Sequence, residues 1–247
     1  MLATARRFTA GYLDTIALSL RELPRLAGET ERASLVRQIY FTGVRALPVI
    51  SVFALLFGAV IVTSALALLG ADNEAVIKSV VWGGLRELAP MAAAIIILSR
   101  SSVAIAAELA LMRLRDGMQQ QLWQGAVNEA RPVMPRVLGL ALSGTMLVGY
   151  FQFIAFASAL TAASMALDTT LELEIKHFLD AAQWWQIPLS LIKGTLFGAG
   201  IGVISCYHGL AVAPDVREVP KAVMAASIGS LTWVCVVDAF AALLLIV

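Results

Sequence analysis

Four ionisable side chains interrupt otherwise apolar stretches of this sequence of 247 residues. They are Arg86 and Glu87, within "GGLRELAP", followed by Lys193 and Asp238. Charges in apolar surroundings are costly, so such residues usually face protein or trapped water. An arginine in a cavity could bind a phosphate through its planar guanidinium. Opposite charges could equally pair between helices and fix their register, and the sequence leaves both roles open.

The depth of each charge follows if these stretches are helices that cross a bilayer. With a rise of about 1.5 Å per residue, Arg86 and Asp238 both lie roughly 14 Å below the outer surface. Lys193 lies roughly 7 Å below it, where its long side chain could extend outward. Equal depth predicts a pair between Arg86 and Asp238, and a second pair between Glu87 and Lys193. In the first role these four residues would line a substrate cavity, and in the second they would fix the register of the helices; the two roles can coexist.

The composition places the chain in a membrane. Hydrophobic residues make up 60% of the sequence and charged residues only 14%, with a mean hydropathy of +0.83. A soluble domain could not cover that much apolar surface. The net charge of +1 gives no strong field for a nucleic-acid partner. Cys206 and Cys235 lie in apolar runs, where core packing is favoured over a metal site.

Five segments are long and apolar enough to span a bilayer, which takes about 20 residues. They cover approximately residues 46–69, 76–98, 137–160, 188–206 and 223–247. The second apolar run continues through 99–112, so its helix should project beyond the membrane. Fourteen of the eighteen Lys and Arg residues fall in 1–45, 99–136 and 207–221. This asymmetry predicts a cytosolic N-terminus and an external C-terminus. We therefore expect an all-α membrane protein of one domain, with a five-span bundle over 46–247.

Two segments outside the spans have helical patterns. Residues 1–36 form a region that does not span, in which apolar residues recur every three or four positions: Phe8, Tyr12, Ile16, Leu20 and Leu23. This predicts an amphipathic helix in the membrane interface, with packing on a cytosolic partner as the alternative. The external segment 168–187 predicts a short helix, followed by Trp184 and Trp185 as an interfacial aromatic anchor.

Three glycines recur at four-residue spacing in the fourth span: Gly194, Gly198 and Gly202. Glycines on one helix face allow another helix to approach closely. The stripe predicts close helix packing, either between subunits or inside one bundle, and the spacing does not distinguish the two.

Residues 85–112, "LRELAPMAAAIIILSRSSVAIAAELALM", resemble the signature of the MlaE/YrbE family of ABC-transporter permeases. In that family an L-R-E-L-G-P block leads into G-R-x-G-x-x-x-x-A-E-L-x-x-M. The matching positions are Leu85, Arg86, Glu87, Leu88, Pro90, Arg100, Ala107, Glu108, Leu109 and Met112. The resemblance resumes at "CYHGL" (206–210) and "VVDAF" (236–240), so it covers nearly the whole chain.

The resemblance implies a permease subunit in the cytoplasmic (inner) membrane that moves phospholipid and has no catalytic residues or cofactor of its own. A second permease copy, a cytosolic ABC ATPase holding ATP and Mg²⁺, and an external MCE-domain ring are the implied partners. The ATPase would dock on the segment 113–136 and its approach. The candidate coupling residues are Glu108, Arg113, Arg115, Asp116, Trp123, Glu129 and Arg131. For Glu108 the alternative is a structural ion pair with Arg100 or Arg113.

The sequence departs from the family pattern at three places. Asp116-Gly117 stands where the family usually has Glu-Gln, and Val127-Asn128 stands where it usually has Asp-Pro. The R-x-G motif becomes Arg100-Ser101-Ser102. Two of these positions lie in the expected coupling segment. The alternative function is therefore a membrane scaffold that holds the lipid-transfer ring with weak or lost ATPase coupling.

Overall fold

The chain folds into a bundle of helices. The computed structural model describes residues 11–17, 28–69, 84, 86–122, 133–181, 185–213 and 215–246. Every regular element in those residues is helical, and five helical stretches are long and apolar enough to cross a membrane. The predicted all-α membrane fold with five spans is confirmed for the part of the chain described.

The first two spans contain helical turns that are not α-helical: a 3₁₀ turn in the first, and two π-helical turns in the second. The first half consists of α1 (Glu29–Thr42), a 3₁₀ turn (Val44–Ala46), α2 (Leu47–Leu69), α3 (Ala89–Ile97), a π-helical segment (Leu98–Ser102) and α4 (Val103–Leu122). The first candidate span, Glu31–Leu68, includes most of α1, the 3₁₀ turn and α2, so it begins inside the region 1–36 that was predicted not to span. A further π-helical turn at residues 86–88 leads into α3, and this turn, α3, the π-helical segment and α4 run on as the second span. The helix continues without a break beyond residue 98, as the apolar run 99–112 predicted, and its projection beyond the membrane stays a prediction.

The second half supplies three long spans and one short helix. Its elements are α5 (Val133–Leu167), α6 (Leu171–Ala181), α7 (Gln186–Leu210), a 3₁₀ turn (Val216–Glu218) and α8 (Val219–Ile246). Helix α6 confirms the short helix predicted before the tryptophans. Trp184 lies outside the described residues.

Helices α5 and α7 form the centre of the bundle. Helix α5 packs along α7, α2 and α1, whereas α8 packs against α7 and α4. The largest fully buried apolar side chains on the two central helices are Leu140, Leu147, Phe151, Phe197 and Ile201. Burying these side chains gives α5 and α7 a fixed relative position, on which the placement of the polar residues of both helices depends.

The boundaries of the predicted cytosolic segment 113–136 need correction. Helix α4 continues to Leu122, and α5 already begins at Val133. Arg136, predicted to lie in the loop, is therefore inside the bundle and only 5% exposed. Residues 123–132 lie outside the described residues, and they include the candidate coupling residues Trp123, Glu129 and Arg131.

The N-terminal segment packs on the end of α7. Residues 11–17 are helical, and the ring of Tyr12 contacts the edge of Tyr207 at 4.7 Å between centroids. A hydrogen bond of 3.0 Å joins Oη of Tyr12 to Nε2 of His208. Burial, with Tyr207 nearby, raises the pKa of Tyr12. Of the predicted apolar stripe, Tyr12 thus faces the bundle and Ile16 is exposed, while Phe8, Leu20 and Leu23 lie outside the described residues.

Candidate functional site

Arg86 and Glu87 lie in a π-helical turn at the start of the second span. Pro90 follows at the beginning of α3. A proline cannot donate to the carbonyl four residues earlier, which here belongs to Arg86, and its ring crowds that carbonyl. The wider turn accommodates the proline and is of the kind that often occurs at functional sites. The turn therefore changes the direction in which the two charged side chains leave the helix.

Three spans bring four charges together. Nζ of Lys193, on α7, lies 2.5 Å from Oε2 of Glu87 and 3.2 Å from Oδ1 of Asp238, on α8. The other carboxylate oxygen of Glu87 lies 3.1 Å from Nε of Arg86. Two cations and two anions thus alternate in one chain, Arg86–Glu87–Lys193–Asp238. We call these four residues the charged cluster.

The cations of the charged cluster are more deeply buried than its anions. The side chains of Lys193 and Arg86 are 2% and 8% exposed, whereas those of Glu87 and Asp238 are 24% and 18% exposed. Buried charges at this depth require partners, because an unpaired one would carry a desolvation penalty of several kcal/mol. The balance of two positive and two negative charges meets that requirement. The carboxylates are the members of the cluster that remain partly accessible.

The predicted pairing is half correct. The pair between Glu87 and Lys193 is confirmed. The pair between Arg86 and Asp238 is wrong, because the ion pair that the structure gives Asp238 comes from Lys193, while Arg86 contacts Glu87. Lys193 also does not extend outward, since it is buried and contacts both carboxylates. Helix rise counted along each segment separately takes no account of how the helices are tilted and rotated against one another.

Trp185 covers the guanidinium of Arg86. Its ring centroid lies 5.6 Å from Cζ of Arg86, within the range of a cation–π contact. Trp185 precedes α7 directly. The sequence predicted an interfacial anchor here, but the contact between Trp185 and Arg86 joins residues about a hundred positions apart and left no signal in the sequence.

A neutral polar pair extends the charged cluster. Oγ of Ser190 donates to Oε1 of Gln152 at 3.0 Å, which links α7 to α5. Ser190 lies three residues before Lys193, on the same side of the helix, and is 2% exposed. Neither residue was predicted to belong to the site. A glutamine in a span was the available signal, since polar side chains inside a membrane usually bond across helices.

The glycine stripe on α7 packs inside the bundle. A Cβ at Gly198 would overlap the carbonyl oxygen of Leu140, and one at Gly202 would lie 2.9 Å from Cα of Val137. A Cβ at Gly194 would meet the carbonyl oxygen of Gly144 at 3.0 Å. All three contacts are on α5. The glycine stripe therefore packs against α5 of the same chain. Of the two alternatives, packing inside one bundle is the one that the structure shows.

The predicted coupling residues that the structure describes lie at the end of the second span. Glu108 is 61% exposed and pairs with the buried guanidinium of Arg136, at 3.0 Å from Oε1 to Nη2. Its structural partner is therefore Arg136 rather than Arg100 or Arg113. Arg113 and Arg115 are exposed on α4, and Asp116 lies in the same helix.

Ser102, which replaces the glycine of the family's R-x-G motif, takes part in packing between helices. Ser102 lies in the π-helical segment, with its hydroxyl 2.8 Å from Oγ of Ser205 and 3.3 Å from Oγ of Ser230. All three side chains are fully buried and come from the second, fourth and fifth spans. A hydroxyl at position 102 therefore joins three helices, which a glycine could not do.

The family model described as Permease MlaE matches residues 35–244. A probable ABC transporter permease protein of Rickettsia prowazekii is 27% identical over 199 residues, which cover 79% of this chain and 76% of the relative. A probable ABC transporter permease protein of Synechocystis is 27% identical over 59% of this chain and 56% of the relative.

A plant protein is also similar to this chain. The chloroplastic protein TRIGALACTOSYLDIACYLGLYCEROL 1 of Arabidopsis thaliana is 26% identical over 157 residues. The match covers 62% of this chain and 44% of that protein.

Proposed function

This chain belongs to the MlaE permease family, and from that premise we propose that it moves phospholipid, or a similar hydrophobic substrate, across or out of the membrane. The charged cluster is the observation that carries the proposal. Four charges held between three spans form a polar site within a surface that is otherwise apolar. A substrate with one charged end and two hydrocarbon chains matches both properties.

Within this proposal Arg86 binds the phosphate of the substrate. Its guanidinium can form two parallel hydrogen bonds to phosphate oxygens, which a lysine cannot. Trp185 covers the guanidinium when no headgroup is bound, and a phosphate would replace the aromatic ring. Glu87 and Asp238 are partly accessible and would bind an amine carried by the headgroup. Lys193 holds these two carboxylates at a fixed separation.

Energy for transport would come from a separate ATPase chain, as the names of the relatives as ABC transporter permeases support. The end of the second span is the proposed docking region, because Glu108, Arg113 and Arg115 are exposed there. Arg136 connects Glu108 to the start of α5, so a force applied at this end would reach the central helix.

We propose the remaining partners and the membrane orientation on the same basis. The family resemblance supports a second permease copy and an external MCE-domain protein. Helix α8 has the least buried span of the five, so its apolar face is free to meet lipid or that second copy. The distribution of Lys and Arg supports a cytosolic N-terminus, a periplasmic C-terminus and an inner-membrane location. The plant relative is named after a lipid, trigalactosyldiacylglycerol, and this name supports a lipid substrate.

The test is to purify the intact complex and identify its subunits and bound lipids by mass spectrometry. We expect an ATPase chain and phospholipid to co-purify with this chain. Arg86→Ala should reduce bound or transported lipid more than tenfold while the yield of folded protein changes little, since a phosphate contact is worth about 1.5–3 kcal/mol. Equal losses of lipid and of folded protein would show that Arg86 only supports the helix. Absence of any ATPase would favour the scaffold alternative.

A further inference from the structure

We propose that the junction of α1 and α2 is a binding site for the headgroup of an anionic phospholipid, separate from the charged cluster. Two guanidiniums contact the ring of Phe41 at this junction. Cζ of Arg37 is 5.6 Å from the ring centroid, and Cζ of Arg45 is 5.3 Å from it. The ring of Tyr40 contacts Phe41 edge-on at 5.8 Å. We call Arg37, Phe41 and Arg45 the arginine–phenylalanine site.

The arginine–phenylalanine site presents two positive charges at the surface. Arg37, Phe41 and Arg45 are all exposed. Among the described residues, no carboxylate forms an ion pair with either of the two arginines. The two guanidiniums carry like charges and repel each other. An anion that contacts both of them would remove this repulsion.

A third arginine fixes the junction in place. Nη1 of Arg100 donates to the backbone carbonyl of Arg45 at 2.9 Å. Arg100 lies in the π-helical segment of the second span and is itself exposed. The bond ties the 3₁₀ turn Val44–Ala46 to the neighbouring span, so Arg45 is held at a defined position before any ligand arrives. A preformed site loses less conformational entropy on binding.

The surroundings indicate a lipid rather than a free anion. The apolar helix α2 begins at Leu47, directly after the site, which places the guanidiniums at the level of phospholipid headgroups. Below them α2 exposes large apolar side chains: Val49, Val52, Phe53, Leu56 and Val60. A phosphodiester bound to the two arginines would place its acyl chains along this surface. Basic sites at the ends of spans bind anionic headgroups in this way.

The arginine–phenylalanine site is distant from the charged cluster. Arg86 and Arg100 lie fourteen positions apart on one helix, or roughly 20 Å at the helical rise. The two sites therefore lie toward opposite ends of the second span. Binding at the junction does not depend on transport, so it can be measured on the permease alone.

The experiment titrates delipidated full-length protein in detergent with phosphatidylglycerol and, separately, with phosphatidylcholine of the same acyl chains. Native mass spectrometry counts the bound lipids. We expect the protein to bind phosphatidylglycerol more tightly than phosphatidylcholine. The double variant Arg37→Gln/Arg45→Gln should bind it about thirtyfold more weakly, since each interfacial cation is worth about a factor of five. Phe41→Leu should weaken binding about fivefold, and Phe41→Trp should retain it.

A charge-matched control separates a specific site from bulk attraction. Arg217→Gln/Lys221→Gln removes the same charge from the exposed start of α8 and the turn before it, and should leave phosphatidylglycerol binding unchanged. An equal loss in this control would overturn the proposal, as would equal affinities for the two lipids. Competition by glycerol phosphate at the same concentration would show a free-anion site instead. If the glutamine variant fails to fold, Arg37→Lys/Arg45→Lys, which keeps the charges, should bind within a few-fold of the unmodified chain.

Discussion

Replacing Lys193 with methionine tests whether the charged cluster is held together as described. Methionine is apolar and of similar length, so Lys193→Met removes the charge and little volume. Glu87 would keep its contact with Arg86, but Asp238 would lose the cation at 3.2 Å from its Oδ1. Removing one partner of a buried ion pair costs about 3–5 kcal/mol. Because Asp238 is 18% exposed and water reaches it, we expect about 3 kcal/mol.

A second substitution should restore much of this loss. In Lys193→Met/Asp238→Asn the carboxylate that lost its cation is replaced by a neutral amide. Arg86 and Glu87 remain as a pair of opposite charges. We expect the double variant to regain about 2 kcal/mol of the roughly 3 kcal/mol lost, which is a coupling energy typical of residues in contact. Lys193→Met/Glu87→Gln should recover less, since it leaves Arg86 and Asp238 both charged without the residues that link them.

The measurement is the free energy of unfolding of the full chain in mixed micelles, by titration with a denaturing detergent. Lys176→Met serves as the control, because Lys176 is 68% exposed and its ion-pair partner Glu172 is exposed too. That variant should change the free energy of unfolding by less than about 1 kcal/mol. If Lys193→Met were as stable as the Lys176→Met control, or if the second substitution at Asp238 restored nothing, the burial and pairing of Lys193 would be refuted.

Two further predictions concern packing. Gly198→Ala should lower the free energy of unfolding by about 3 kcal/mol, because the new methyl would overlap the backbone carbonyl of Leu140; Gly149→Ala, whose methyl meets only the end of a leucine side chain at 3.2 Å, is the control and should be near neutral in the same titration. Glu108→Gln should lower the stability of the isolated permease by about 1 kcal/mol through its bond to Arg136. Unchanged stability with loss of ATPase stimulation in the complex would instead give Glu108 a docking role alone.

The spans and their charges were predictable because they depend on composition along the chain. A run of apolar residues long enough to cross a bilayer must form a helix, since no water is present to satisfy its backbone. Charges inside such runs stand out for the same reason, so the pattern of residues alone identified Arg86, Glu87, Lys193 and Asp238. The family signature around Arg86 pointed to the same region, and the family match over 35–244 agrees with it.

The partners of those residues were not predictable from position in the sequence. Depth calculated from assumed helix ends allowed Lys193 to extend outward and made Asp238 the expected partner of Arg86. The π-helical turn at 86–88 changes the direction in which the two neighbouring charges point, and local spacing alone does not reveal it. The contact between Trp185 and Arg86 likewise depends on how the start of α7 lies against the second span.

By itself, then, the sequence determined the all-helical membrane fold, the four buried charges and the glycine stripe, because each is a property of one segment in an apolar solvent. Only the tertiary structure decided that Lys193 joins Glu87 to Asp238, and that Gly194, Gly198 and Gly202 face α5. These outcomes depend on the rotation and depth of each helix relative to the others. Packing of whole side chains sets both quantities, and no single segment contains that information.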